Sequence, residues 1–355
     1  MTSDDALPSV SVLTPTLNSA RTLADCLAAI RAQDYPQDRI QIVIADAGST
    51  DGTPDIARRF GPVTLVPNPL RTGEAGKSAA LAIATGDLIA LIDSDNILPS
   101  PNWLRRMVAP FADPEVFASE PIRYDCRPSD PALTRYFALL GMNDPLCLFT
   151  GNYDRTCAIT GRWTGLRIPS EPRDGWFKLS LRPVRGACAE ALPTLGANGT
   201  LLRRSVLADA TTSPYYFDID VVQQLVAHGH SAFAKVDIGI VHLYAGRLRD
   251  FSRKQNRRIR DFLHFRKGAE STDAARRTYS WKKSGALRGV VLFSLATATV
   301  LPLLVQMLLG ALRHPDRAWW YHIPVCWTTL LRYATATLLS PFRSAPASRD
   351  RWQAN

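Results

Sequence analysis

Runs of apolar residues separated by polar turns dominate the amino-terminal third of this 355-residue chain. Four of these runs predict β-strands, and apolar residues recur at helical spacing between them. The predicted strands are Ser9 to Thr14, Ile40 to Ala45, Val63 to Val66 and Leu88 to Ile92. Because strands that alternate with helices are joined by crossover connections, this order predicts a parallel sheet of the α/β class.

Two carboxylates close the fourth predicted strand. Asp93 and Asp95 follow the apolar run directly and are separated by one residue. Side chains at positions i and i+2 point to the same side of a strand, and ligands of open α/β sheets bind beyond the carboxyl ends of the strands. Since two adjacent anions need a cation, the pair predicts a site for a hard divalent metal that substrate phosphates also ligate. The alternative is a pair of turn residues ahead of Pro99 and Pro101.

The pattern beyond residue 110 is less regular. Val116 to Ile122 predicts a strand, Val221 to Ala227 a helix, and Phe233 to Val241 a strand that is closed by His242. The residues from Tyr124 to Arg185 show no clear period. We expect them to form an insert whose elements the sequence alone does not place.

Charge and hydropathy change in the carboxyl-terminal part of the chain. The formal net charge is +10, and a dense basic block lies between Arg247 and Lys283. An uncharged, mostly apolar run from Gly289 to Leu312 follows, and roughly 20 such residues suffice to cross the hydrocarbon core of a bilayer. Basic residues just before such a run are typical of a cytoplasmic flank. The pattern therefore predicts membrane attachment rather than nucleic-acid binding.

A second apolar segment runs from Ala318 to about Phe342. It is interrupted by His322, Pro324 and Arg332, and it begins with the aromatic residues 319–321, which suit a membrane interface. This segment predicts either a second span or a helix that lies in the interface. A buried hairpin of a soluble domain is the alternative.

The amino terminus and the cysteines favour a cytosolic catalytic domain. Residues 1–7 are acidic and polar, so no secretory signal is expected. The six cysteines show no pair at metal-ligand spacing, which predicts reduced, structural thiols.

Three polar turns at the ends of predicted strands carry a family resemblance. They are Thr-Pro-Thr-Leu-Asn at 14–18, Asp-Ala-Gly-Ser-Thr-Asp-Gly-Thr at 46–53, and Asp-Ser-Asp at 93–95. In this order the chain resembles family 2 glycosyltransferases, which are inverting enzymes with a GT-A fold. The resemblance is strong over about residues 9–110 and looser over 195–260. It implies a GT-A-like nucleotide-diphospho-sugar transferase fold with a mostly parallel central sheet.

The resemblance implies a donor-nucleotide site. Pro15 and Thr16 match the turn that lines the base and ribose, and Asp46 matches the acid that binds the base. Asp51 matches the acid of the same nucleotide loop. Lys77 lies where a basic residue approaches the nucleotide-sugar, with a surface lysine as the alternative. The surrounding residues 71–78 end like a phosphate-binding P-loop but lack its first glycine.

The resemblance also implies a metal and diphosphate site. Asp93 and Asp95 match the pair that holds Mg²⁺ or Mn²⁺, whose charge would stabilise a diphosphate leaving group. His242 matches a position where related enzymes use histidine near the metal. Arg258 lies in a stretch that resembles a QxxRW motif and would pair with the diphosphate, but Ile259 stands where tryptophan is expected. The missing tryptophan argues against a processive polysaccharide synthase.

Inversion requires a base that takes the proton from the acceptor hydroxyl. Asp218 aligns with the catalytic aspartate of the family, although Phe217 replaces the preceding glutamate. Asp220 is the competing candidate. The alternative to both is a pair of capping residues at the start of the helix that follows.

These expectations divide the chain and define its function. The catalytic domain covers 1–245, with a nucleotide-binding half at 9–110 and an acceptor half at 111–245. It is followed by a basic juxtamembrane segment (246–285), one or two membrane helices (286–342) and a polar tail (343–355).

We expect an enzyme of the cytoplasmic membrane, with its catalytic domain on the cytoplasmic face. It would move a sugar from a nucleotide-diphospho-sugar, UDP-sugar before GDP-sugar, to a lipid or lipid-linked acceptor. A nucleotidyltransferase of sugar-nucleotide synthesis and a non-catalytic membrane protein with the same fold are the alternatives.

Overall fold

The structure is a computed structural model, and it describes residues 7–182, 192–267 and 286–339. This part of the chain forms one ten-stranded sheet with helices on its faces. The strands are β1 (Val10–Thr16), β2 (Ile40–Asp46), β3 (Val63–Pro67), β4 (Leu88–Leu91), β5 (Asn96–Ile97), β6 (Val116–Asp125), β7 (Ser170–Arg173), β8 (Trp176–Ser180), β9 (Thr200–Arg203) and β10 (Ala232–His242).

The α-helices alternate with the strands in the first third and dominate the carboxyl-terminal part. They are α1 (Ala20–Arg31), α2 (Thr53–Arg59), α3 (Gly73–Leu81), α4 (Trp103–Val108), α5 (Ala132–Leu140), α6 (Leu146–Thr150), α7 (Asp218–Ala227), α8 (Leu248–Lys267), α9 (Ala286–Thr299), α10 (Leu301–Arg313) and α11 (His322–Leu339). Short 3₁₀ helices occupy Gln37–Arg39, Ala109–Ala112, Arg204–Asp209 and Arg317–Tyr321.

The sheet is mixed rather than mostly parallel. Its order is β3-β2-β1-β4-β9-β6-β10-β8-β7, with β5 paired to β10. The first four strands are parallel, as predicted from the strand-helix alternation. Strand β9 lies antiparallel between β4 and β6, and β8, β7 and β5 also pair in antiparallel fashion. The prediction was wrong for this half because the short apolar run of β9 carries no signal of strand direction.

Strands β1, β2 and β4 are buried on both faces of the sheet, as continuous apolar runs require. Val10 and Val12 of β1 join one core layer with Leu23 of α1, whereas Leu13 joins the opposite layer with Leu225 of α7. Successive residues of β1 therefore point into different layers. This leaves the carboxyl ends of the strands as the edge where polar side chains gather.

The irregular stretch within the acceptor half forms identifiable elements. Helices α5 and α6 and the hairpin of β7 and β8 fill the stretch that the sequence left unassigned. Buried residues of α5 pack with the 3₁₀ helix Arg317–Tyr321 and with Phe251 of α8 in a third core cluster. The insert therefore joins the sheet domain to the carboxyl-terminal helices.

The uncharged run at 289–312 is not one straight helix. It is divided between α9 and α10, which meet at Val300 with a bend of 93°. Val300 has φ +62°, which is exceptional for a β-branched residue, and Pro302 cannot donate to a preceding turn. Among the described residues, no single helix is both long and apolar enough to cross a membrane; the bent pair meets that criterion by length and composition alone.

Candidate active site

Asp46 organises the second polar turn from the end of β2. The parallel register places it beside Thr16 of β1, whose hydroxyl donates to Asp46 Oδ1 over 2.8 Å. The backbone amides of Gly48 and Ser49 donate to Asp46 Oδ2, and the Ser49 hydroxyl donates to Oδ1. Both carboxylate oxygens of the predicted base-binding acid are thus engaged in shaping the turn.

Asp51 joins the first two polar turns. Its Oδ2 accepts from the Ala20 amide at the start of α1, and its Oδ1 accepts from the amide and hydroxyl of Thr53 at the start of α2. Asn18 adds a second link, because its side chain accepts from the Thr50 amide over 2.9 Å. The predicted nucleotide loops therefore form one cross-linked surface.

Helix α3 packs closely on this surface. A Cβ added at Gly76 would lie 2.7 Å from Cβ of Pro15 and 2.9 Å from Nδ2 of Asn68. Only glycine permits this approach, which positions the next residue, Lys77, over the carboxyl edge of the sheet. Lys77 is 5% exposed, so the alternative of a surface lysine is wrong. The helix begins after Thr72, whose side chain caps it, and no P-loop geometry is involved.

Lys77 connects the predicted base with the predicted metal-binding pair. Its Nζ donates to Oδ2 of Asp218 over 2.7 Å and lies 3.6 Å from Oδ1 of Asp93. Burial lowers the pKa of Lys77, but the two carboxylates outweigh burial and raise it above its usual value. Residues that are far apart in the sequence thus meet through one ammonium group.

Asp218 has the properties of a general base. It stands in the first turn of α7, and its Oδ1 is buried without a hydrogen-bond partner among the described residues. Burial raises the pKa of Asp218 to about 6, with Lys77 opposing and Asp93 adding to the rise. Asp220, the competing candidate, is 2% exposed. The hydrogen bond from Lys77 favours Asp218 as the candidate base, because it connects Asp218 to the acid pair.

Asp95 lies between two basic side chains. His242, at the end of β10, places Nε2 at 3.6 Å from Asp95 Oδ1, and Lys254 of α8 places Nζ at 3.6 Å from Oδ2. Burial raises the pKa of Asp95, but His242 and Lys254 outweigh burial and hold it well below its usual value. Lys254, whose ammonium also lies 4.9 Å from the Tyr244 ring centroid, was not among the predicted site residues.

Arg258 lies one turn beyond Lys254 on α8 and is engaged elsewhere. Its guanidinium bonds to Asp144, which also accepts from Gln255 over 3.1 Å and from the Tyr333 hydroxyl over 2.6 Å. The predicted pairing of Arg258 with a diphosphate stays a prediction. In this structure Arg258 instead joins α8 to the start of α6 and to α11.

The acid pair offers oxygen ligands of the kind that Mg²⁺ and Mn²⁺ prefer. Asp93 and Asp95 are both partly exposed, with 32% and 23% of their side-chain surface accessible. His242 Nδ1 is buried without a partner in the described part of the chain. In that same part, no group of three or more His, Cys, Asp and Glu side chains is arranged to hold a metal ion.

A buried ionic network supports the loop that faces Asp218. A Cβ at Gly196 would lie 2.7 Å from the Asp218 carbonyl oxygen, so the loop 196–199 packs directly on the start of α7. Glu120 Oε1 accepts from the Gly196 amide and the Thr200 hydroxyl, each over 3.0 Å. Arg155 donates to the carbonyl groups of residues 197 and 198 and pairs with Glu120 over 2.7 Å. None of these supporting charges is among the site residues predicted from the sequence.

The fold and the acids along one sheet edge define a GT-A-like α/β protein. Residues 11–168 match the family model described as Glycosyl transferase family 2. This range contains the first two polar turns, Lys77 and the acid pair. Over these residues the chain is similar to the family 2 glycosyltransferases.

Curated relatives match the same part of the chain. It is 33% identical over 108 residues to glycosyltransferase AglE of Haloferax volcanii, an alignment that covers 29% of this chain and 35% of that protein. It is 35% identical over 131 residues to an N-acetylglucosaminyltransferase of Mesorhizobium japonicum, covering 33% of this chain and 29% of that protein. The chain thus spans about a third of the length of these relatives.

A solved structure extends the likeness of the fold beyond this domain. The mannosyltransferase PcManGT of Pyrobaculum calidifontis, in complex with GDP-Man and Mn²⁺, aligns with 95% of this chain and 89% of its own at a TM-score of 0.51. The sequence identity is 21%. The likeness therefore shows the fold, including its carboxyl-terminal part.

Proposed function

We propose that the chain is a divalent-metal-dependent inverting glycosyltransferase that moves a sugar from a nucleotide-diphospho-sugar to a lipid or lipid-linked acceptor at the cytoplasmic membrane. The observation that carries this proposal is the contact of Lys77 with both Asp218 and Asp93, of which Lys77 and Asp93 lie in the range that matches the family 2 model. It joins a candidate base to a candidate diphosphate site. A nucleotide-sugar transferase needs its base and its diphosphate site to be separated by no more than the width of one sugar ring.

Asp218 acts on the acceptor in this proposal. Its unpartnered Oδ1 accepts the proton of the acceptor hydroxyl as the hydroxyl oxygen attacks the anomeric carbon from the face opposite the diphosphate. Lys77 fixes the other carboxylate oxygen and so orients the free one. The loop 196–199, which packs on the start of α7, limits the space around the acceptor.

Asp93 and Asp95 would hold the divalent cation, with His242 beside them. When bound, the cation supplies positive charge to the departing diphosphate. Lys77 and Lys254 stand on either side of the pair and offer further donors to phosphate oxygens. Asp46 and Asp51 maintain the turns against which Pro15 and Thr16 would present the base and ribose.

The acceptor is proposed to be a lipid because the site is joined to an apolar surface. Helix α8 carries Lys254 at the site, and its Ser252 accepts from the Arg332 guanidinium of α11 over 2.9 and 2.7 Å. Helices α9 to α11 expose many large apolar side chains. A lipid held at these helices would reach the site without leaving the surface of the protein.

Replacing Asp95 with alanine is expected to abolish Mn²⁺-dependent binding of the donor nucleotide. A nucleotide at a hundredfold excess over its Kd stabilises the folded state by about 2.7 kcal/mol, and the variant should lose this gain. Thermal unfolding of the detergent-purified chain with UDP or GDP, each with and without Mn²⁺, measures the effect. Release of the nucleotide diphosphate from sugar donors in a lipid extract should fall by at least about 10².

Asp209→Ala is the matched control for Asp95→Ala. Asp209 is a half-exposed carboxylate that pairs with His230 over 2.7 Å, outside the site. It should retain both the Mn²⁺-dependent shift and the turnover of the unmodified chain. An Asp95→Ala variant that is still stabilised by nucleotide and Mn²⁺ like the unmodified chain would contradict the proposed metal site.

The pH dependence of transfer is expected to follow Asp218. Since the base must be ionised and burial raises its pKa to about 6, kcat/KM should fall as the pH drops below about 6. Lys77 opposes this rise, so Lys77→Met should lower activity and move the acid limb to higher pH by about one unit. Profiles of kcat/KM against pH for both proteins test this. An unchanged limb in Lys77→Met would exclude Asp218 as the titrating group.

A further inference from the structure

An apolar surface formed by exposed side chains lies on the carboxyl-terminal helices. Six of its large side chains, each between 58% and 79% exposed, are Leu287, Leu295, Leu301, Leu308, Leu312 and Trp320. In the described part of the sheet domain, by contrast, the exposed large apolar residues are Leu70 at 48% and Ile83 at 38%. An apolar surface of this extent marks a docking site rather than ordinary solvent-facing protein.

Both ends of the bent helix pair are fixed to the sheet domain and its insert. Near the start of α9, Gly289 packs so closely on α6 that a Cβ would lie 2.8 Å from the Phe149 carbonyl oxygen. At the end of α10, the Arg313 guanidinium donates to the backbone carbonyl groups of Ala158 and Ile159. The pair therefore leaves the insert and returns to it.

The connection after α10 strengthens this return. Asp316 accepts two bonds from the Arg135 guanidinium of α5, over 2.9 and 3.0 Å. The Trp319 indole packs against Gly310 and donates to the His314 carbonyl group over 3.0 Å. These contacts fix the turn at 313–317 to the catalytic domain.

The dimensions of the two helices agree with attachment to one leaflet. At a rise of about 1.5 Å per residue, α9 and α10 are each about 20 Å long, compared with a hydrocarbon core of about 30 Å. Their 93° bend at Val300 shortens the reach of the pair further. With both ends fixed on one side, the apolar faces can enter a single leaflet, but the chain does not pass to the other side.

Basic residues near the bent helix pair indicate which kind of membrane surface would bind these helices. Exposed arginines stand near both ends of the bent pair, with Arg288 at the start of α9 and Arg317 after α10. Their aliphatic stems can lie along apolar surface while the guanidinium groups reach phosphate headgroups. The basic block of 247–283 precedes α9 in the sequence. Such charges attract anionic lipids.

We propose that α9, α10 and the outer face of α11 insert in-plane into the cytoplasmic leaflet of an anionic phospholipid bilayer and do not span it. This proposal deepens the membrane attachment in the proposed function and rests on it. The consequence is a fixed distance between the site and the headgroups, because α11 and α8 are bonded to each other near Lys254.

Vesicle flotation tests the docking surface. The full chain, freed of detergent in the presence of sealed vesicles, should float with phosphatidylcholine vesicles that contain phosphatidylglycerol and less with vesicles that lack it. The double variant Leu308→Glu, Leu312→Glu should bind at least about tenfold more weakly. Ile83→Glu, on the sheet domain, is the matched control and should bind like the unmodified chain.

Cysteine labelling tests whether the helices cross the membrane. Pro315 and Asp55 are both exposed, and cysteines introduced at these positions report on the turn after α10 and on the catalytic domain. With a membrane-impermeant maleimide and sealed proteoliposomes, Pro315→Cys and Asp55→Cys should be protected to the same extent. The unmodified chain corrects for native cysteines. Labelling of the two positions from opposite sides would overturn the proposal in favour of a span.

Two further outcomes would also overturn it. One is equal flotation of the glutamate double variant and the unmodified chain. The other is a dimer of the unmodified chain in detergent that the glutamates dissociate, which would assign the surface to a second copy. Nucleotide and Mn²⁺ binding in detergent depends on neither membrane experiment, so failure of the attachment mode is separable from failure of the proposed enzyme activity.

Discussion

Asp218→Asn is expected to lower kcat by about 10²–10⁴ while nucleotide and Mn²⁺ still bind. Asparagine keeps the shape of the carboxylate but cannot accept a proton at the buried atom that has no partner in the described structure. Lys77 would then donate to the amide oxygen instead of Oδ2, so the site should retain its form. The measurement is single-turnover transfer from a nucleotide-sugar to a lipid extract, together with thermal unfolding in the presence of nucleotide and Mn²⁺.

Asp220→Asn separates the two candidate bases. Asp220 occupies the same first turn of α7 and is 2% exposed, so the two substitutions disturb similar surroundings. We expect Asp220→Asn to retain most of the transfer rate and to change thermal stability at most. Loss of transfer in Asp220→Asn with transfer retained in Asp218→Asn would reverse the assignment.

The positions of the acids followed from the sequence because they depend on strand ends. A buried apolar run has a visible end, and parallel strands share one edge, so Asp46 and the pair Asp93 and Asp95 could be expected to line it. The structure places Asp46 at the end of β2, and Asp93 and Asp95 two and four residues beyond the end of β4. Asp218 required the family resemblance, since its neighbourhood depends on how α7 packs against α3.

The basic residues at the site were harder to predict. Lys254 stands in a block of many arginines and lysines, and sequence alone does not indicate which of them faces the sheet. The docking of α8 decides this: Lys254 reaches Asp95, whereas Arg258 reaches Asp144. A bonding partner for Arg258 in the unassigned stretch of 124–185 could not be foreseen, because that stretch shows no period.

Two buried charges carry a signal of strand pairing in the sequence. Glu120 and Lys235 each follow an apolar start of their strand, and a charge buried in a strand requires a partner. Strands β6 and β10 are parallel neighbours, and their register sets Lys235 directly opposite Glu120. Complementary charges inside two predicted strands would have indicated both the pairing of the strands and its register.

Glu120→Gln is accordingly expected to destabilise the fold by about 3–5 kcal/mol. Glu120, Arg155 and Lys235 are all 0% exposed, so removing the Glu120 carboxylate leaves two buried cations, of which Arg155 keeps the Asp154 carboxylate and Lys235 keeps the Asp154 backbone carbonyl group. Burial raises the pKa of Glu120, but Arg155 and Lys235 outweigh burial and hold it below its usual value. The carboxylate is therefore ionised at neutral pH, and glutamine deletes a full charge.

The same substitution is expected to loosen the loop at 196–200. Glu120 Oε1 accepts from the Gly196 amide and the Thr200 hydroxyl, and the glutamine side chain can turn only one carbonyl oxygen toward either these donors or the cations. Chemical denaturation measures the loss of stability. Hydrogen exchange of the Gly196 amide measures the loss of its bond and should accelerate beyond the change that global unfolding explains.

Glu115→Gln and a double variant complete the test of Glu120. The Glu115 side chain is 73% exposed and pairs with Lys178 at the surface, so its substitution should change stability by no more than about 1 kcal/mol. Adding Lys235→Met to Glu120→Gln removes one unpaired buried cation and should recover part of the lost stability. Equal stability losses for Glu115→Gln and Glu120→Gln would contradict the predicted role of the buried network. Only the loss of a charge partner inside the protein carries the larger penalty in the free energy of unfolding.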